Sequence, residues 1–248
     1  MSMAEMVDRM EAIVLAGGFG TRLQQVVSDV PKPMAPMDNA GTPFLSYLLR
    51  ELARQGVTRV VLAIGYLGEQ IQAYFGDTFA GMTIRYVVED VPLGTGGAVK
   101  LALKECMSQD IFVLNGDTFF AADLSAMMTA HRSLRADLTL AAREMCDFDR
   151  YGTLDVAADG RVLAFREKMF CQRGYINGGI YCLSPSIQGG LPEGRFSLEQ
   201  DFMEKRVREL QMYAFISQGY FVDIGIPADY EKAKAAFRDA SVKKCFVL

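Results

Sequence analysis

The chain has 248 residues, half of them apolar, with 26 Lys and Arg against 30 Asp and Glu and a net charge of −4. That length exceeds one average domain, yet α/β folds of this size commonly bury one large core. The acidic balance argues against nucleic acid as a partner, and no run reaches the ~18 apolar residues of a membrane helix.

An apolar run at residues 12–16 ends in Gly17, Gly18 and Gly20, the pattern of a buried parallel strand running into a loop. Three glycines in four positions let backbone N–H groups come close to phosphate oxygens. Arg22 adds a planar cation. Lys32 adds a point charge between Pro31 and Pro33, which are expected to keep that segment extended. The loop is neither GxGxxG nor a Walker loop, because Thr21-Arg22 follows the last glycine.

Further strands are predicted at residues 59–64, 83–88 and 111–114, alternating with helical patterns at 44–55, 68–75 and 97–107. Right-handed crossovers would bring the strand ends, and the loops after them, to one edge. The predicted fold is an α/β, Rossmann-like three-layer sandwich on a mainly parallel sheet. A helical pattern at 124–134 carries His131, the one histidine, as a surface or packing residue and not a catalytic base. After residue 136 come shorter strand-like runs at 138–143, 152–156, 162–166 and 175–183, a small β-rich lobe. Ser197 and Gln200 look like a capping box opening a helix to residue 208, with Glu199 and Asp201 structural. Strands at 212–216 and 220–222 lead to Asp223, and a last helix starts at Ala228.

Asn115-Gly116-Asp117 ends an apolar strand, and Asp223 stands at another strand end before a glycine. Two carboxylates at one sheet edge suit magnesium, which takes hard oxygen ligands and shares them with substrate phosphates. Singly, each aspartate also reads as a turn residue capping the next helix. The five cysteines show no CxxC spacing, so neither a zinc site nor a disulfide framework is expected. The ending Cys245-Phe246-Val247-Leu248 matches a CaaX pattern literally, although so short a tail matches easily by chance. The N-terminus, MSMAEMVDRMEA, lacks an apolar signal core, so a soluble, cytoplasmic protein is expected.

GGFGTRL at 17–23 followed by PKP at 31–33 resembles the signature of the sugar-1-phosphate nucleotidyltransferases. PLGTGGA at 92–98, NGD at 115–117, FREK at 165–168, NGGIY at 177–181 and VDIGIP at 222–227 follow in family order. Within that family the combination of SDVPKPMAP, PLGTGGAVK, LNGDTFF, FREK, FSLEQDF and DIGIPADY looks most like the D-glycero-α-D-manno-heptose 1-phosphate guanylyltransferases. Mannose-1-phosphate guanylyltransferases and hexose-1-phosphate uridylyl- or thymidylyltransferases share most of them. A non-catalytic nucleotide-sugar sensor is a reading of a different class, but such a sensor would be expected to lose Arg22, Lys32 or a metal carboxylate, and all are present.

The resemblance implies attack of a sugar-1-phosphate oxygen on the α-phosphorus of a nucleoside triphosphate, GTP in the heptose case, with pyrophosphate leaving. It implies catalytic roles for Arg22, Lys32, Asp117 and Asp223, with Mg2+ on the two aspartates. A nucleotide site would comprise Leu15, Ala16, Gly17, Gly18, Gly20, Thr21, Arg22, Glu89, Gly94, Thr95, Asn115 and Asp117. Glu89, ending its strand, could accept hydrogen bonds from the donor edge of guanine. A sugar site would comprise Tyr151, Gly152, Glu167, Lys168, Asn177 and Gly178. Two positions depart from the family: relatives more often have alanine in place of Gly178, and tryptophan in place of Phe221. The expected organisation is a single domain, with a nucleotide half at about 11–135, a sugar-phosphate half at about 136–226 and a helix and tail at 227–248. A homodimer is an assembly left open.

Overall fold

The computed structural model describes residues 10–18 and 29–238. Along the chain come β1 (Met10–Leu15), α1 (Phe44–Arg54), β2 (Val57–Ile64), α2 (Gly68–Phe75), β3 (Thr78–Phe79), β4 (Met82–Val88), α3 (Gly94–Leu103), β5 (Ile111–Asn115) and β6 (Thr118–Phe120). There follow α4 (Leu124–Ser133), β7 (Leu138–Phe148), β8 (Thr153–Val156), β9 (Val162–Arg166), β10 (Cys171–Leu183), α5 (Glu204–Arg206), β11 (Met212–Ile216), β12 (Phe221–Asp223) and α6 (Pro227–Arg238).

From Ala12 onward β1 is apolar on both faces, as suits a central parallel strand. Ala12 and Val14 enter one hydrophobic core, with α1, α2, α4 and α6 packed on that side. Ile13 enters the other, beneath α3 and the segment around Phe202. Two cores on opposite faces of one sheet make the three-layer sandwich. The main sheet runs β11-β7-β10-β5-β1-β2-β4-β3, with β8 and β9 attached through β10. β1, β2, β4 and β5 are mutually parallel; β10 enters antiparallel to β5.

That order places the site. The chain winds outward through β1, β2 and β4, then returns to the other side of β1 as β5, and such a reversal leaves a crevice at the strand C-termini. Leu15 pairs with Asn115, and the Gly116 N–H donates to the Leu15 carbonyl at 2.9 Å. A side chain on Gly116 would meet that carbonyl oxygen at 2.5 Å, so only glycine permits the approach. β7 and β10 run on past the sheet as a long antiparallel pair, and their far ends with β8 and β9 form the lobe.

Three local expectations are corrected. The prolines around Lys32 do not leave it extended: Lys32–Met34 is one 3-10 turn, closed by Met34 N–H to the Pro31 carbonyl at 2.7 Å. Pro31 alone is extended, and the turn bond outweighs the preference that Pro33 imposes on its predecessor. α3 starts at Gly94, not at residue 97, because segment 194–198 lies across its first turn, exchanging Gly96 N–H to Phe196 O and Phe196 N–H to Leu93 O, each at 3.0 Å. The Phe196 ring occupies the place where a Gly96 side chain would stand. The helix expected up to residue 208 is instead a π-helical stretch, Leu198–Met203, followed by the short α5. Ser197 Oγ does accept from Gln200 N–H at 3.1 Å, but the Ser197 N–H bonds Asp201, one residue beyond the expected box partner, at 2.9 Å.

His131 packs inward from α4, 1 % exposed, with Nδ1 2.8 Å from Thr139 Oγ1 and Nε2 2.9 Å from Ser184 Oγ. Burial lowers its pKa, outweighing the Asp110 carboxylate 3.7 Å from Nε2. Above pH ~6.5 the ring is neutral in the folded and the unfolded chain; below it the unfolded chain takes up a proton that the fold resists, so stability falls with falling pH. Urea midpoints at pH 7.5 and 5.5 are expected to show this loss in the wild type and a smaller loss in His131→Gln, a residue that does not titrate.

Candidate active site

Two cavities open along the C-terminal edge of the parallel strands. The first is lined by Leu15, Ala16, Gly17 and Gly18 after β1, Lys32, Glu89 after β4, Gly94 and Thr95 opening α3, and Asn115 and Asp117 after β5. The second is lined by Tyr151, Gly152, Glu167, Lys168, Asn177 and Asp223 from the lobe and the β6-β12 ribbon. Asn115 borders both. Gly20, Thr21 and Arg22, expected in the first cavity, lie outside the described residues, as does Cys245.

At the junction stands a compact charge cluster. Lys32 Nζ lies 2.5 Å from Asp117 Oδ2 and 3.9 Å from Asp223 Oδ1. Pairing of β6 with β12 sets Asp223 opposite Thr118, the neighbour of Asp117, which brings the two aspartates together from 106 positions apart. Burial and then the Asp117 charge push the Asp223 carboxyl above its ordinary range; Lys32 and Gly225 N–H, 2.6 Å from Oδ1, pull it back only in part. One ammonium between two carboxylates leaves the cluster short of positive charge. Among the described residues no three His, Cys, Asp or Glu side chains gather around one point, so a metal here would take these two carboxylates and complete its shell with phosphate or water. Such a donor set suits a hard divalent cation.

Glu89 closes the first cavity from above Gly17. Its Oε2 accepts from Leu93 N–H at 2.9 Å, and Oε1 lies where a side chain on Gly17 would have to stand. Burial pushes this carboxyl upward, against the pull of the Leu93 bond. Thr95 is committed within the protein: its hydroxyl donates to Glu199 Oε2 at 2.8 Å and accepts from Leu198 N–H at 2.9 Å.

The second cavity corrects one glycine. Gly178 does not line it; the Cβ direction there points into the Phe120 ring, 2.4 Å away, which accounts for the glycine at this position. Gly179, at φ +73°, lines the cavity instead, next to the Asn115 amide. Phe221 makes edge-on contacts with Phe120 at 5.7 Å and Tyr151 at 5.9 Å and forms part of the wall. Arg195, Tyr181, Glu199 and Glu204 also line these cavities and are not among the expected site residues: Tyr181 stands in the NGGIY string and Glu199 in FSLEQDF, neither with an expected role at the site, and Arg195 and Glu204 stand in no motif.

The nucleotidyl transferase family profile matches residues 11–240. The chain belongs to the nucleotidyl transferase family. It is 49 % identical over 227 residues to the D-glycero-α-D-manno-heptose 1-phosphate guanylyltransferase of Aneurinibacillus thermoaerophilus, covering 91 % of this chain and 97 % of the relative. It is 44 % identical over 222 residues to the enzyme of the same name from Campylobacter jejuni, covering 89 % and 97 %. Among solved structures, HddC from Yersinia pseudotuberculosis superposes with a TM-score of 0.82 at 39 % identity over 92 % of this chain and 99 % of that one; HddC has also been solved in complex with GMP-PN. This nucleotidyl transferase therefore shares its fold with HddC and most of its length with all three proteins. Among the described residues no helix is long and apolar enough to cross a membrane.

The cluster predicts its own response. Lys32→Met would leave Asp117 and Asp223 facing each other without a cation, which costs stability in a partly buried pair. Its melting temperature is expected to fall below wild type and to recover more than wild type when millimolar divalent cation is added. Equal responses of the two proteins would show that Lys32 does not neutralise the pair.

Proposed function

We propose that this nucleotidyl transferase moves a guanylyl group from GTP to D-glycero-α-D-manno-heptose 1-phosphate and releases pyrophosphate. The observation that carries this reading is the meeting of two cavities at Lys32, Asp117 and Asp223, in a chain 49 % identical to a heptose 1-phosphate guanylyltransferase. The nucleotide occupies the cavity after β1 and the sugar phosphate the one beneath the lobe. On this assignment residues of about 11–135 serve the nucleotide and those of about 136–226 the sugar phosphate within one domain.

The attacking sugar-phosphate oxygen is already an anion at neutral pH, so no general base is required; the buried, neutral His131 lies apart from both cavities. The work left is alignment and charge neutralisation. Lys32 sits where the α-phosphate would pass between the cavities, and Lys168 reaches the sugar phosphate, with Glu167 and Asn177 on ring hydroxyls. Arg22 is assigned the departing pyrophosphate on its motif alone. Asp117 and Asp223 would hold Mg2+, which when bound offsets the negative charge of the reacting phosphates. Glu89 Oε1, the oxygen not engaged by Leu93, would accept from the N1–H and amino groups of guanine, donors that uracil and thymine do not present in that arrangement. The reaction belongs in the cytoplasm, where nucleoside triphosphates are made.

Pyrophosphate release from four nucleoside triphosphates, each against heptose, mannose and glucose 1-phosphates with magnesium, is expected to be fastest for GTP with the heptose. Release with no pair would sink the enzymatic reading, and preference for mannose would move the assignment to the mannose-1-phosphate guanylyltransferases. Glu89→Gln is expected to lower kcat/KM for GTP by about 10–100-fold, the worth of one hydrogen bond to a charged group, and to narrow the GTP-to-UTP preference. An unchanged preference would remove Glu89 from base selection.

A further inference from the structure

Tyr181, 0 % exposed on β10, donates its hydroxyl proton to Glu199 Oε1 at 2.9 Å. Glu199 Oε2 accepts from Thr95 Oγ1 at 2.8 Å and from Ser197 Oγ at 3.0 Å. A carboxylate accepts and does not donate, so each hydroxyl commits its one proton to Glu199. Tyr181 can then only accept, from Asn177, whose Nδ2 is 2.9 Å away, and from the Asn115 side chain, and Asn177 Oδ1 is turned to the Gly179 N–H at 3.0 Å. Burial, followed by the Glu199 charge, holds the Tyr181 hydroxyl well above its ordinary pKa, so it keeps its proton.

The chain of bonds joins the two cavities. Asn177, Tyr181 and Glu199 line the sugar-side cavity, and Thr95 lines the nucleotide-side cavity at the first turn of α3. Packing alone does not call for a carboxylate here: Leu198, Phe202 and Met203 fill the core from the same π-helical stretch, while Glu199 stays half-buried and faces the cavity. Irregular helical turns of this type recur at functional sites because they aim one side chain out of the regular register.

We propose that Glu199 is a positioning residue that fixes the direction of every proton from Asn177 through Tyr181 to Thr95, and thereby makes filling of one cavity favour filling of the other. The proposal rests on the assignment of the two cavities to nucleotide and sugar phosphate. With its orientation set, the Asn177 amide offers a sugar diol one free N–H and one free lone pair in fixed places. A nucleotide seated against the start of α3 stills Thr95 and hence Glu199, so the amide is already ordered when the sugar phosphate arrives.

Glu199→Gln keeps the shape and breaks the directionality. If the new amide nitrogen faces Tyr181, the phenol must turn its proton to Asn177, whose flipped amide would then set NH2 against the Gly179 N–H. If it faces the other way, Thr95 and Ser197 lose their acceptor.

The test uses the sugar 1-phosphate that the wild type turns over with GTP. Its affinity is measured by calorimetry with and without a non-reacting GTP analogue, and its KM by pyrophosphate release. In the wild type the analogue is expected to tighten the sugar phosphate about fivefold or more, the lower end of ordinary coupling. Glu199→Gln is expected to lose that tightening and to raise KM for the sugar phosphate about tenfold, while its affinity for the analogue measured without sugar phosphate stays close to wild type, because coupling is reciprocal and only the shared part is lost. Tyr181→Phe, which deletes only the hydroxyl, should do the same and serves if Glu199→Gln does not fold. Wild-type affinities that ignore the analogue, or variants that keep coupling and KM and lose only melting temperature, would overturn the proposal. A wild type that prefers another sugar 1-phosphate would instead correct the substrate assignment, and the coupling would be read with that sugar.

Discussion

The close approach of β1 and β5 at their C-terminal ends is the constraint on which the rest of the site depends. Gly116 sits against the Leu15 carbonyl, and the crevice between these two strands exists because the winding of the sheet reverses there. Residues 15–18 and 115–117 face each other across it because both strands are buried on both faces and cannot slip register without carrying apolar side chains past one another. Parallel β1, β2, β4 and β5 bring the loops of the first cavity to one edge; antiparallel β10, entering beside β5, brings residues of the second cavity to the same edge from the other half of the chain. The topology thus juxtaposes the two cavities through one continuous sheet.

At the meeting point the electrostatics are left unbalanced. Asp117 and Asp223 share one nearby ammonium, that of Lys32, in a partly buried place, and burial followed by the Asp117 charge raises the Asp223 carboxyl. A fold selected only for stability would gain by exchanging one aspartate for a neutral residue. Such unbalance is common where ligands complete the charge, and polyphosphate with its cation is the complement that this family handles.

Much of this was legible in the sequence. The strand–loop–helix alternation gave the parallel half, since long apolar runs ended by glycine or aspartate have few alternatives. Gly17, Gly18, Lys32, Glu89, Asn115, Asp117, Tyr151, Glu167, Lys168, Asn177 and Asp223 line the two cavities. What escaped was decided by contacts between distant segments. The start of α3 depends on Phe196, a hundred positions away, and the π-helical stretch replaces a helix whose local signals were those of an ordinary capping box. Glu199 read as a helix residue because its partners Thr95 and Tyr181 lie far off in sequence. The glycine pair 178–179 could not be divided by pattern: one glycine makes room for Phe120 and the next takes a left-handed turn beside Asn115.

The lashing of segment 194–198 across the first turn of α3 has a bearing on how such enzymes can diverge. Gly94, Gly96 and Gly97 each lie within 3 Å, by their Cβ direction, of atoms in Phe196, Gly194 or Leu93, and Lys100 reaches over to the Leu191 and Pro192 carbonyls. The two stretches are therefore a single inheritable unit despite the hundred residues between them. A graft of residues 92–98 from a relative would arrive without the segment that its first turn packs against. Chimeras in this family are best cut so that both stretches travel together.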